Sequence, residues 1–357
     1  MTHSDRLARF SAISTALALK SNRQLAQFVD EAPQPATGIG GTTATFEIEG
    51  IKVFAKRVRL TDLELLPENR GSTANLFRLP TYYHRNVGSP GFGAWRELAA
   101  HAMATGWVIS RQLESVPMMY HWRVLLEGSA APLPVELANI EDLVTYWDGS
   151  EALRTRLRAL ADASASIMIF LEYIPWNLSD WLTEQLMGSS ENRESACKMV
   201  EQSLTREIPL MNSLGLLHGD AHFANILTDG SRLYFADFGL AISKRFELSC
   251  DEERYLENNA SLDRAYVLAN WVNRLVKTWV STIGIPHTCN ELVRAVASGQ
   301  TLDALIPNLP FSVAEIVQRH APVAAAFNDF YARLHSESRS TPYPREGIEA
   351  MLANSKN

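Results

Sequence analysis

The order of strand-like and helix-like segments constrains the fold of this chain more than any other feature of its sequence. A glycine-rich stretch leads into β-branched and aromatic residues with partial alternation, and Glu49-Gly50 predicts a hairpin turn between strands near 42–48 and 51–58. From about residue 192 onward the apolar spacing is mostly helical. Strands early and helices late predict an α+β fold.

Breaks in these patterns predict three regions. Residues 1–30 are expected to form a helical N-terminal extension, residues 31–173 a sheet-rich N-terminal lobe, and residues 174–357 a larger helical C-terminal lobe. The N-terminal lobe contains two insertions, 59–93 and 127–163, to which the sequence assigns no purpose. Other local patterns predict helices over 21–30, 93–110 and 192–214, and strands over 118–126 and from 166 to Pro175.

Composition excludes several classes of protein. The 357 residues are 46% hydrophobic, which is enough for a large core, and the net charge of −7 disfavours non-specific nucleic-acid binding. No apolar run approaches the roughly 18 residues that a membrane span requires. The three cysteines are far apart, which favours a reducing compartment over a disulfide framework or a zinc site. We therefore expect a cytoplasmic protein, since serines and a threonine interrupt the apolar part of its faintly signal-like N-terminus.

Several polar residues have the chemistry that phosphoryl transfer needs. Asp220 and Asn225 flank a short polar loop, and Asp237 follows an apolar strand, so their oxygen atoms suit Mg²⁺. Lys56 lies within an apolar strand, where its ammonium group needs an anionic partner. Glycines before the first strand would let backbone N–H groups approach phosphate oxygens: Gly38, Gly40 and Gly41. A phosphate cover, a lysine, metal ligands and a base are the parts of a phosphoryl-transfer site.

These motifs resemble those of the protein-kinase-like superfamily, which includes protein kinases and the aminoglycoside and choline phosphotransferases. HGDAHFAN at 218–225, followed by ADFGLA at 236–241, is similar to the catalytic and metal-binding loops of that superfamily. VFAKR at 53–57 resembles the strand of its nucleotide-binding lysine, and IFLEYIPWNLSDWL at 169–182 resembles the segment joining its lobes. The resemblance extends in the right order from about 36 to 280 and implies a two-lobed fold that binds ATP and Mg²⁺ between its lobes.

The resemblance also implies roles for the residues of the two loops. Asp220 would accept or orient the proton of the substrate hydroxyl, while Asn225 and Asp237 would hold Mg²⁺ on the ATP phosphates. His222 stands where protein kinases carry a lysine, and either a phosphate contact or a structural hydrogen bond is compatible with it. Asp263 resembles the buried aspartate that supports the catalytic loop from below.

A second group of implied roles concerns the nucleotide. Lys56 would contact the α- and β-phosphates and pair with Glu97, while backbone groups of Glu172 and Ile174 would bind adenine. The structural alternatives are a Lys56 side chain that extends to solvent, a solvent-facing Glu97 and an ordinary turn at the glycines.

Departures from the family pattern bear on the acceptor. Gly219 stands where many protein kinases have arginine, and no Ala-Pro-Glu motif occurs between Asp237 and Asp263. These features favour a small hydroxylated acceptor; the full DFGLA motif supports the alternative of a Ser/Thr protein kinase, and a nucleotide-binding pseudokinase is a third option. The acidic run FELSCDEERYLENN at 246–259 either attracts a cationic acceptor or is a solvated helix face.

Overall fold

A computed structural model describes residues 1–31, 36–38, 41–85, 88–126, 132–283 and 287–354, with the backbone alone for 36–38, 282, 283 and 303. The helices are α1 His3–Ala18, α2 Asn22–Asp30, α3 Asp62–Leu65, α4 Ala94–Ile109, α5 Val135–Ala138, α6 Ile140–Tyr146, α7 Glu151–Ala161, α8 Leu178–Met187, α9 Ser190–Ser213, α10 Cys250–Asn258, α11 Leu262–Ile283, α12 Cys289–Ala297, α13 Leu302–Leu305, α14 Phe311–Ser336 and α15 Arg345–Asn354. The strands are β1 Ala36–Gly38, β2 Gly41–Ile48, β3 Ile51–Leu60, β4 Met119–Leu126, β5 Ala165–Glu172, β6 Trp176–Asn177, β7 Leu216–Leu217, β8 Ile226–Thr228, β9 Leu233–Phe235 and β10 Ile242–Ser243. The predicted α+β class is confirmed, with a small antiparallel sheet region and a larger helical portion.

The chain divides into two compact units. The first unit is Met1–Ile174 with Ala236–Glu253, and the second is Pro175–Phe235 with Arg254–Asn357. The segment 236–253, which the sequence assigned to the helical part, therefore packs with the sheet-containing unit.

The sheet of the first unit has the order β1-β2-β3-β5-β4, and the neighbouring strands in this order pair antiparallel. The β2–β3 hairpin closes as predicted, because Glu49 and Gly50 both adopt a positive φ (52° and 72°), as a type I′ turn requires. Strand β5 is buried along its whole length, which explains its continuous apolar sequence. The register pairs Lys56 with Ile169 and Val53 with Glu172, so the predicted lysine strand and adenine strand are neighbours.

Two hydrophobic clusters stabilise this unit. One joins the sheet to α4 and includes Trp95, Leu98, Ile167 and Ile169. The other is formed by the two insertions, whose buried residues include Phe77, Leu79, Tyr83, Phe92, Leu137, Trp147, Leu153 and Leu157. The insertions therefore pack on each other. Trp147 is fully buried, and its replacement by alanine should lower the free energy of unfolding by about 3–5 kcal/mol, as Trp→Ala changes do in other cores.

The second unit is mainly helical, with a small sheet of order β6-β8-β9. The pairs Ile226–Phe235 and Thr228–Leu233 form a short hairpin directly after the HGDAHFAN motif. Trp271 of α11 is fully buried. No helix in the described part of the chain is both long enough and apolar enough to cross a lipid bilayer.

Candidate functional site

Lys56 lies buried in the middle of β3, where an ammonium group needs anionic partners. Its Nζ is 2.6 Å from Oε1 of Glu97 and 2.9 Å from Oδ1 of Asp237. Burial by itself would lower the pKa of Lys56, but the carboxylates of Asp237 and Glu97 outweigh it and raise that pKa above its usual value. The lysine is therefore a permanent cation held inside the first unit, and its side chain does not extend to solvent.

Glu97 lies in the first turn of α4 and is buried, so the alternative of a solvent-facing Glu97 is wrong. The helix begins where Oε1 of Glu64 accepts the Ala94 N–H at 2.7 Å, a carboxylate at the positive end of the helix. Sequence reasoning missed Glu64, although the Thr61-x-x-Glu64 spacing is a capping-box signal. The first insertion thus fixes the start of the helix that carries Glu97.

Asp237 has a left-handed backbone, with φ of 62°, a conformation that aspartate tolerates better than most residues. Its Oδ1 also accepts the Gly239 N–H at 3.3 Å. The next side chain, Phe238, is fully buried and lies edge-on to His101 of α4, with ring centroids 5.0 Å apart. Asp237 itself is 39% exposed, so its carboxylate reaches both Lys56 and solvent.

In the second unit, the buried carboxylate of Asp263 holds the backbone of the predicted catalytic loop. It accepts the His218 N–H at 2.7 Å, the Gly219 N–H at 2.9 Å and an Asn212 side-chain N–H at 2.8 Å. Gly219 has φ of 78°, a left-handed conformation that glycine adopts without steric cost. These bonds fix the backbone immediately before Asp220.

Asp220, His222 and Asn225 form one compact turn. Nδ2 of Asn225 donates to the backbone oxygen of Asp220 at 3.0 Å and to its Oδ2 at 3.2 Å, which turns Oδ1 of Asn225 to the opposite side of the amide. Nδ1 of His222 accepts the Ala224 N–H at 3.2 Å, so a neutral ring carries its proton on Nε2, 3.6 Å from Oδ2 of Asp220. The structural hydrogen bond considered for His222 is present, and the Asp220 side chain is 20% exposed.

The predicted adenine-binding segment has a partner that the sequence did not indicate. Both carboxylate oxygens of Glu172 accept bonds from Arg6 of α1, the shortest being 2.6 Å from Nη2 to Oε2, and the Glu172 N–H donates to the Met118 backbone oxygen at 2.8 Å. Arg6 and Glu172 are both buried, and so is Ile174. The N-terminal helix is thus fastened to the strand that ends at Glu172.

The glycine loop is described only in part. Gly38 pairs with Gly41 between β1 and β2, while Gly40 lies outside the described residues. Gly41 has φ of 118°, and a Cβ there would be 2.1 Å from the Arg57 backbone oxygen. Gly41 is therefore required by the close approach of two strands.

The acidic run is not uniformly a surface feature. Glu252 is completely buried and lies 2.7 Å from Nη1 of Arg96, whereas Asp251, Glu253 and Glu257 are exposed. Both interpretations of the run are therefore wrong for Glu252, since its carboxylate faces neither an incoming cation nor water.

No group of three or more His, Cys, Asp or Glu side chains that could hold a metal ion occurs among the residues that the structure describes. The predicted Mg²⁺ ligands are of another kind, one amide (Asn225) and one carboxylate (Asp237). Mg²⁺ is usually bound by one or two carboxylates, with waters and substrate phosphates completing its octahedron.

No family model matches the chain, and no curated protein matches it in sequence.

Proposed function

We propose that this protein is an ATP-dependent phosphotransferase that moves the γ-phosphoryl group of ATP to a hydroxyl acceptor, on a two-lobed kinase-like fold. The observation that carries the proposal is the buried Lys56 held between Glu97 and Asp237. Buried ion pairs are often no more stabilising than apolar residues of the same volume, so the fold alone does not require one here. A fixed cation next to a half-exposed carboxylate is, however, what an anionic phosphate with its metal ion requires.

The chemistry of the available groups fits ATP and Mg²⁺. Lys56 would contact phosphate oxygens, and the hard oxygens of Asp237 and Asn225 would hold Mg²⁺, which neutralises phosphate charge when bound. Asp237 is accessible to solvent, and Oδ1 of Asn225 is turned away from Asp220. Backbone groups of Glu172 and Ile174 would bind adenine, and the ion pair with Arg6 would keep that segment in place.

The second unit would supply the base. Asp220 would accept the proton of the acceptor hydroxyl. At the same time the hydroxyl oxygen would bond to the γ-phosphorus, and the bond from that phosphorus to the leaving ADP oxygen would break. Asn225 orients the Asp220 carboxylate, and Asp263 holds the backbone before it, so the base needs little rearrangement. Oriented general bases of this type typically contribute about 10²–10⁴-fold to a rate.

A small hydroxylated molecule is the acceptor that we favour. The left-handed Gly219, with its N–H on Asp263, contributes no cationic side chain that a phosphorylated loop could engage, and the segment after Asp237 has no Ala-Pro-Glu motif. Within the acidic run, Glu252 is buried, so a cationic acceptor could meet only exposed members such as Asp251 and Glu253.

The test is transfer of labelled γ-phosphate from ATP with Mg²⁺, offered in parallel to small alcohols, amino alcohols, aminoglycosides and basic proteins. Label on a small molecule supports the proposal in full. Label on protein alone would show that the acceptor is a protein hydroxyl and would favour the Ser/Thr protein kinase alternative. ATP binding without turnover on any acceptor would contradict the phosphotransferase and favour a pseudokinase.

A further inference from the structure

The segment 237–252, which runs from Asp237 to the first turn of α10, is tied to α4 at both ends. At one end Asp237 contacts Lys56, and Lys56 contacts Glu97 of α4. At the other end Glu252 contacts Arg96, the residue directly before Glu97. One turn of one helix therefore carries both attachments.

The Arg96–Glu252 pair is deeply buried, with side-chain exposures of 2% and 0%. Oε1 of Glu252 lies 2.7 Å from Nη1 of Arg96, while its Oε2 accepts both the N–H and the hydroxyl of Ser249 at 3.0 Å. Nε of Arg96 donates to the Thr73 backbone oxygen, and its guanidinium lies over the rings of Phe92 and Phe246. Both charged groups are thus held in a single geometry by several contacts.

His84 adds a third attachment to the middle of the segment. Its Nδ1 is 2.9 Å from the Leu240 backbone oxygen, and its ring stacks on Phe92 with centroids 3.6 Å apart. Its Nε2 is 3.9 Å from Oε1 of Glu252. Gly91 lies against the same stretch, since a Cβ there would be 2.9 Å from the Gly239 backbone oxygen. The segment is therefore fixed at its start, its middle and its end.

We propose that Arg96 and Glu252 are positioning residues that hold the 237–252 segment so that Asp237 keeps its contact with Lys56. Burying two charges is costly, and their attraction offsets that cost only when the geometry of the pair is good. Here that geometry would also set the place of the proposed metal ligand. The carboxylate of Glu252 already pairs with the guanidinium of Arg96. The segment therefore needs no further anionic group, such as a phosphate, to be held in place. The catalytic consequence rests on the proposed function, but the ordering of the segment does not.

The test is hydrogen exchange of the full chain without nucleotide, comparing wild type with Arg96→Met and Glu252→Gln. Amides of 238–246 should exchange at least about tenfold faster in both variants, because local opening no longer has to break the ion pair. The matched control is Arg6→Met, which breaks an equally buried Arg–Glu pair of the same unit but leaves this segment untouched. That control should lose thermal stability without faster exchange at 238–246.

Unchanged exchange at 238–246 in both variants would overturn the proposal, and so would an equal increase in the Arg6→Met control. Glu252→Gln guards against misfolding, because glutamine keeps the side-chain shape and an acceptor for Ser249; retained protection of the β2–β5 amides confirms the fold. In the transfer assay, kcat should fall at least about tenfold in Arg96→Met with little change in the acceptor KM, because misplacement of Asp237 affects the reacting groups. A wild type without transfer would refute the proposed function, while the exchange result would still decide the positioning role.

Discussion

Two regions of this molecule hold functional-site carboxylates in contrasting ways. Around Lys56, Glu97 and Asp237 are held by a full positive charge. Around the predicted catalytic loop, Asp263 is held by N–H groups, two from the backbone and one from Asn212. The first arrangement responds to the loss of a charge, whereas the second responds to the loss of a hydrogen-bond acceptor or a change of backbone geometry. The contrast predicts different costs when each centre is neutralised.

Neutralising the charge centre should have the larger effect. Lys56→Met leaves the buried Glu97 without its cation, and removal of one partner from a buried pair costs about 3–5 kcal/mol of unfolding free energy. The half-exposed Asp237 should contribute little to this loss, since solvent screens it. Urea unfolding measures the change, and phosphoryl transfer should be lost as well.

The companion variant Lys56→Met/Glu97→Gln sharpens this prediction. Removing both charges should restore much of the lost stability without restoring transfer, because the buried charge is gone but the phosphate contact is still absent. A double variant as unstable as Lys56→Met would show that lost packing, rather than charge, causes the effect.

Neutralising Asp263 should cost less. Asp263→Asn keeps the shape but gives up one acceptor position, so we expect a loss of about 1–3 kcal/mol and slower transfer. Asp229→Asn is the matched control in the same unit, because the half-exposed Asp229 also accepts backbone N–H groups, from Ser231 and Arg232. Equal losses of stability and transfer in both variants would remove the special role of Asp263.

Stability should also depend on pH through the Arg96–Glu252 pair. Burial opposes ionisation of Glu252, but the contacts with His84 and Arg96 prevail and lower its pKa from 4.5 to about 2. A carboxylate with a lowered folded-state pKa contributes stability above its unfolded pKa, and this contribution is lost as the pH falls from about 4.5 toward 2. The thermal unfolding midpoint of the wild type should therefore fall more steeply with decreasing pH over that window than the midpoint of Glu252→Gln. Parallel plots of the unfolding midpoint against pH would contradict this prediction, since the two proteins have all other carboxylates in common.

Local signals in the sequence were enough to predict much of the fold. The Glu49-Gly50 turn and its flanking strands were predictable because turn chemistry and alternation act over a few residues. The helix predicted over 93–110 is observed as Ala94–Ile109. The role of the insertions was not predictable, because their shared cluster joins Phe77 to Trp147 across a long stretch of chain.

The same limit applies to the candidate site. The resemblance paired Lys56 with Glu97 despite their separation in sequence, and the two side chains are in contact. The partners of Glu172 and Glu252 were missed, because a buried ion pair such as Arg6–Glu172, 166 positions apart, has no local sequence signature. An acidic helix start looks the same in sequence whether its glutamates face water or, like Glu252, an arginine.

The rate of phosphoryl transfer by Asp220→Asn tests the central claim most directly. Labelled γ-phosphate transfer should be measured for wild type and variant with the same acceptor, together with ATP affinity by titration. The account predicts that both proteins bind ATP with similar affinity, and that the variant transfers about 10³-fold more slowly because the amide cannot accept the hydroxyl proton. Equal rates in the two proteins, or a wild type that does not bind ATP, would contradict it.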